Sequence, residues 1–128
     1  MSVNIPERVR RLVHEHLPSM EHVELLLLLV NSEKEGFLPS DAAKQLSVDS
    51  ELTVRRLGDL ANAGLAVKEG PPGLERYRYQ PSDLDLRQAV EQLVEAYRTR
   101  PVSLIRVVYE RPPESAQRFA DAFRLRKE

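Results

Sequence analysis

The chain has 128 residues, of which 41% are hydrophobic and 30% charged, with a formal net charge of -1. That is ample apolar material for one packed domain and excludes a disordered chain, while the balance of charge removes any general basic excess as a reason for binding nucleic acid. Cysteine is absent, which excludes disulfides, thiolate catalysis and thiolate metal ligands and makes a cytoplasmic location the expectation.

From the N-terminus, Val9, Leu12, Val13 and His16 or Leu17 recur at helical spacing, with Glu7, Arg8, Arg10, Arg11 and Glu15 largely outside. This predicts an amphipathic N-terminal helix within residues 1–18. Val23, Leu25 to Leu29 and Val30 follow, interrupted by Glu24. The run is far short of the ~20 residues that cross a bilayer, and Met1 to Ile5 lacks the basic start of a signal peptide, so no membrane partner is expected. With Ser19 as its cap it reads as a buried scaffold helix, apolar on all sides and therefore enclosed on all sides.

Leu38 to Gln80 carries the densest local information. Ser40 and Asp41 open a short helix to Leu46 with Ala42, Ala43 and Leu46 inward, and Ser47-Val48-Asp49 allows only a turn, with Val48 in the corner. Asp49 or Ser50 caps a second helix placed at 50–63, in which Thr53 or Val54, Leu57, Leu60 and Ala61 form the inward stripe. Ser50, Glu51, Leu52, Arg55, Arg56 and Asp59 lie wholly or partly off that stripe. Gly64 ends the helix in a left-handed cap. Leu65 to Lys68 and Arg76 to Tyr79 then pair across Gly70-Pro71-Pro72-Gly73, with Tyr77 and Tyr79 on one face and Arg76 and Arg78 on the other.

Two helices, a tight turn and a hairpin in this order form a winged helix-turn-helix. The segment LTVRRLGDLANAGLAVKEG, the glycine-containing hairpin and RYRY resemble the MarR and ArsR types of bacterial regulator, over about half of the chain. The resemblance implies a mostly α fold with a small two-stranded β wing. It also implies double-stranded DNA as partner, read by helix 50–63 and the 70–75 wing through Ser50, Glu51, Leu52, Arg55, Arg56, Arg76 and Arg78. Against this stand Asp49, Glu51 and Asp59, whose carboxylates would face phosphates.

Beyond the wing, Ser82 with Asp85 fits a reciprocal cap, and Leu86, Ala89 or Val90, Leu93, Val94 and Tyr97 form a stripe close to a heptad pattern. That stripe packs on the winged domain of residues 19–81 or on the C-terminal helices, or forms a homodimer seam through helix 82–99 and the C-terminal tail. Pro101 to Tyr109 suits a strand or a helix; the helical reading places Pro101 in the first turn and Val102, Ile105 and Val108 on one face. After Arg111-Pro112-Pro113, Glu114 to Arg124 reads as a last helix of an extension spanning 82–128, with Phe119 and Phe123 sharing a face. Arg118, Arg124, Arg126 and Lys127 make a basic cluster there, and RFADAFRLRK resembles the ending of a set of uncharacterised bacterial winged-helix proteins, which implies no activity.

No enzyme, metal or cofactor is expected. His14 and His16 diverge on a helix, His22 has no ligand spacing, and Gly70-Pro71-Pro72-Gly73 lacks the lysine and following helix of a phosphate loop. Two readings remain: a DNA-binding regulator, and a protein interaction adaptor that uses exposed Leu52 with Glu51, Asp59 and the helical tail. Contiguous exposed apolar surface on the second helix would favour the adaptor.

Overall fold

The computed structural model describes residues 5–32 and 35–110. Its helices are α1 (Glu7–His16), α2 (Met20–Asn31), α3 (Pro39–Leu46), α4 (Ser50–Asn62), α5 (Leu84–Thr99) and α6 (Pro101–Tyr109), and strands β1 (Ala66–Glu69) and β2 (Arg76–Tyr79) stand between α4 and α5. This is a mostly α winged helix-turn-helix with a two-stranded antiparallel wing and flanking helices. No helix among the described residues is long and apolar enough to cross a membrane.

Capping chemistry sets most helix starts. Ser19 caps α2 by accepting from the His22 backbone amide, and Asp49 rather than Ser50 caps α4 by accepting from the Leu52 amide at 3.0 Å. α3 departs from expectation: it begins at Pro39, with Leu38 at the cap position and no side-chain cap bond. Proline at the first helical position removes one of the unpaired amides of the helix start, and its fixed φ already suits the helix. Asp83, not Ser82, caps α5 through the Leu86 amide at 2.8 Å. The Ser82 backbone is committed elsewhere, its amide donating to the Gly64 carbonyl at 2.8 Å.

One hydrophobic cluster runs from Ile5 on α1's approach to Val108 on α6. α2 lies at its centre, packed against α3, α4 and β2, while α1 packs on α5 and α6. The enclosure of α2 is incomplete, however: Val23, Leu25, Leu26 and Leu29 are buried, but Leu27, Leu28 and Val30 are only half-buried. Helical periodicity also misplaces two later faces. On α5 the buried residues are Ala89, Val90, Leu93 and Ala96, leaving Val94 and Tyr97 more than a third exposed. On α6 the helical reading holds, yet Leu104, Val107 and Val108 face inward while Val102 and Ile105 face out. The face that wins is the one turned toward α1, which buries area on both sides of the contact.

In the wing, Ala66 pairs with Tyr79 and Glu69 with Arg76, placing Tyr77 and Tyr79 inward. Phe37 adds a bridge outside the hairpin, its amide donating to the Tyr77 carbonyl at 2.9 Å and its carbonyl accepting from the Tyr77 amide at 2.8 Å. Gly36 makes this approach possible. Its φ is 70°, and a Cβ built there would meet the Tyr77 carbonyl oxygen at 2.5 Å. The expected helix at Glu114 to Arg124, its paired phenylalanines and the basic tail lie outside the described residues.

Gly36→Ala is expected to destabilise the chain by about 2 kcal/mol, from left-handed strain and the carbonyl clash together. Urea denaturation reads this as a lower midpoint at unchanged slope; a midpoint equal to wild type would contradict the close approach.

Candidate nucleic-acid interface

α4 has two sides of opposite chemistry. Thr53, Leu57 and Leu60 are buried against the scaffold, and the Thr53 hydroxyl is satisfied by donating to the Asp49 carbonyl at 2.8 Å. Val54, the alternative inward residue, is instead 46% exposed. Diametrically opposite the buried stripe, Glu51, Arg55, Gly58 and Asn62 follow one another at four- and three-residue steps and therefore form a single outward crest. Glu51, Arg55 and Asn62 are exposed.

The flank between crest and stripe faces the N-terminal end of α2. Arg56 Nη2 lies 2.8 Å from Glu21 Oε1, so this guanidinium reaches back to the scaffold rather than outward. One turn on, Asp59 Oδ2 lies 2.8 Å from Nε2 of buried His22, and Ser19 Oγ lies 2.7 Å from the other ring nitrogen. An ionised carboxylate can only accept, so Nε2 carries a proton and donates; in the neutral ring Nδ1 then accepts from the Ser19 hydroxyl. Glu21 with Arg56 and His22 with Asp59 are thus two successive polar ties between α2 and α4. Sequence reasoning put Arg56 and Asp59 among outward candidates because periodicity locates the flank but not the neighbour covering it. The His22 partnership was missed entirely, since Ser19 and Asp59 lie in different elements.

The hairpin divides its two arginines in the same manner. Arg76 is exposed with no ion pair among the described residues. Arg78 is half-buried, and its Nε and Nη2 donate to the two Glu69 carboxylate oxygens at 3.1 and 2.8 Å, with a further bond to Gln80 Oε1 at 2.8 Å. The hydrogen bonds and charge of Arg78 hold the Glu69 carboxyl below its ordinary value of 4.5. Because folding favours ionised Glu69, its contribution to stability is present above the ordinary carboxylate range and is lost as pH falls through the lowered folded value. Arg87 stacks at 5.7 Å over the Tyr79 ring, tying α5 to the wing.

Of the residues expected to meet DNA, Ser50, Glu51, Leu52, Arg55 and Arg76 are therefore exposed, while Arg56 and Arg78 are held by carboxylates of the same chain. The three acids that weighed against DNA divide two to one. Asp49 is engaged as the α4 cap and Asp59 by His22, which leaves Glu51 alone on the crest. Among the described residues no group of three or more histidine, aspartate or glutamate side chains is placed to hold a metal ion.

No family model and no curated protein matches the sequence. Among solved structures, the chain is similar to the zinc-dependent MarR family transcriptional regulator AdcR in its Zn(II)-bound state, at 16% identity and a TM-score of 0.42, over 100% of this chain and 80% of that one.

Two measurements check the ties. In a double-mutant cycle, Glu21→Ala and Arg56→Ala are expected to be non-additive by about 0.5 kcal/mol, the scale of a half-exposed pair; strict additivity would mean no tie. Arg78→Ala should return the Glu69 carboxyl toward 4.5 in an NMR titration, and an unmoved titration would show that Arg78 is not the cause.

Proposed function

We propose that the chain is a DNA-binding winged-helix regulator that inserts the α4 crest into a major groove and lays the hairpin along the adjacent backbone. The observation that carries this reading is the pairing of a rigidly backed helix with an exposed crest: α4 is fastened to α2 by its apolar stripe and by two polar ties on the flank beside that stripe, and none of the tied residues belongs to the line of Glu51, Arg55, Gly58 and Asn62. Arg55 supplies the cationic contact on the helix and Arg76 on the wing, with Ser50, Glu51 and Leu52 beside Arg55. Arg56 and Arg78 act as positioning residues. Glu51, at the N-terminal end of the crest, faces the groove floor, where a carboxylate accepts from a cytosine amino group, rather than the phosphate walls.

A second copy of the chain completes the reading. Val102, Ile105 and Tyr109 recur on the outer face of α6, with Val102 at 62% and Tyr109 at 68% exposure, and Val94 and Tyr97 are exposed on the adjoining α5. Twofold pairing through these helices covers apolar surface and presents two α4 crests to a palindromic site. The adaptor alternative draws on exposed Leu52 and Val54. These two lie roughly 160° apart around the helix, on opposite flanks of the crest, and so make no contiguous apolar patch.

Fluorescence anisotropy with a labelled duplex at rising salt tests the function. Wild type should bind at low salt and weaken steeply; Arg55→Ala/Arg76→Ala should bind more weakly, with the slope of log K against log salt reduced by about 2. Arg56→Ala should change thermal stability more than salt slope. Absence of binding by wild type at low salt would transfer the crest to a protein partner.

A further inference from the structure

Gly58 stands at the middle of the α4 crest, one turn beyond Arg55, and nothing among the described residues requires it. A Cβ built on Gly58 meets no atom within 4 Å, and its φ is not among the positive values of the chain. Glycines that serve the fold differ: a Cβ at Gly36 would strike the Tyr77 carbonyl, and one at Gly64, at φ 81°, would strike Ser82 Oγ at 2.7 Å. Glycine is, after proline, the least favourable residue in a helix interior, because it has the most backbone freedom to lose and no side chain to pack. Here that penalty falls on the helix that most needs to be rigid. It is also the only glycine within a helix among the described residues.

We propose that Gly58 is the point at which α4 backbone meets a wall of the DNA major groove, and that the missing side chain sets how deeply the crest enters. The inference rests on the regulator reading above and deepens it. Three features of the crest point the same way. Gly58 follows Arg55 by three residues and precedes Asn62 by four, so a backbone contact at Gly58 sits between a cationic and an amide side chain, both exposed and both able to donate to phosphate or base. The two ties to α2 are confined to the Arg56 and Asp59 flank and leave the Gly58 side open to solvent. Close passage of a backbone past a bulky ligand surface is a recurrent use of glycine, and a helix can approach a groove wall nearer at glycine than at any other residue. DNA supplies such a wall on each side of the groove, since a major groove about 12 Å wide only just admits a helix with its side chains.

The proposal separates stability from binding in opposite directions. Gly58→Ala removes the helix penalty without filling occupied space, so its thermal midpoint should rise, by about 4 °C. The same variant should bind a fluorescein-labelled duplex with a randomised central segment about fivefold more weakly at low salt. Gly58→Gln, a good helix former whose side chain is free to extend into solvent, should also be at least as stable as wild type and should lose more than tenfold. Both variants carry unchanged charge, so the salt slope per contact is a control on the cause of the loss. If both variants are stabilised and bind as tightly as wild type, the backbone contact is wrong while the regulator reading stands. If wild type itself does not bind the duplex at low salt, that reading fails and this inference falls with it.

Discussion

Burial of α2 is the constraint on which the rest of the molecule depends. This helix contributes Val23, Leu25, Leu26 and Leu29 to the core and touches α3, α4 and β2, so both parts of the helix-turn-helix and the hairpin take their positions from one apolar rod. An apolar surface of this density has no stable exposed alternative, because each fully buried leucine contributes about 2 kcal/mol relative to exposure. Non-directional burial holds α4 against α2 without fixing its rotation. The directional groups at the N-terminal end of α2 supply that: Glu21 and His22 each engage α4 one turn apart, through Arg56 and Asp59. Exposed or half-exposed pairs of this sort add little to stability, and their value here is geometric. Rotating α4 by even one residue position would break both.

The same ties change the electrostatic character of the candidate interface. A near-neutral chain with five acidic and five basic residues between 49 and 80 offers no basic field to attract DNA. Counting charges treats them all as available. The structure removes Asp49, Asp59 and Glu69 from that count by committing them to a helix cap, an imidazole and a guanidinium, and removes Arg56 and Arg78 likewise. What stays outward on α4 without an ion pair among the described residues is Glu51 and Arg55, and on β2 Arg76, while Asp59 keeps an exposed edge beside its imidazole partner. The outward charge of α4 and the wing is thereby set by mutual neutralisation of its neighbours. The field that these few outward charges project is correspondingly small.

At the other side of the molecule, α5 and α6 show how burial is shared when several helices compete for one apolar partner. α1 presents Val9, Leu12 and Val13, all buried, and both C-terminal helices turn a face toward it. Arg10 and His14 of α1 also approach the end of α6, through the Glu110 carboxylate and the Val107 carbonyl respectively. This choice leaves Val94 and Tyr97 of α5 and Val102, Ile105 and Tyr109 of α6 outward. With Leu27, Val30 and Asn31 of α2, Val94, Tyr97 and Arg98 line a groove of about 430 Å³. The apolar character of that wall is what the described residues leave uncovered.

By itself the sequence determined the elements: their number across the described residues, their order, the common face of Tyr77 and Tyr79 on the second wing strand, and the turns at Gly64 and Ser47 to Asp49. These follow from local physics, since periodicity, capping groups and glycine conformations act within a few residues of one another. For Pro101 to Tyr109 the apolar pattern suited strand or helix, and only Pro101 at the first turn favoured the helix that forms. Only the tertiary structure decided which face of α5 and α6 is buried, that Phe37 extends the wing through Gly36, and that Arg56, Asp59 and Arg78 have partners inside the chain. Each of those outcomes depends on a residue far away in sequence, such as Glu21, His22 or Tyr77. A helix stripe states that something must cover it, and a charged side chain states that it must be solvated or paired. What does the covering or the pairing is a property of the assembled chain, because it is the free energy of packing many elements together that selects the neighbour.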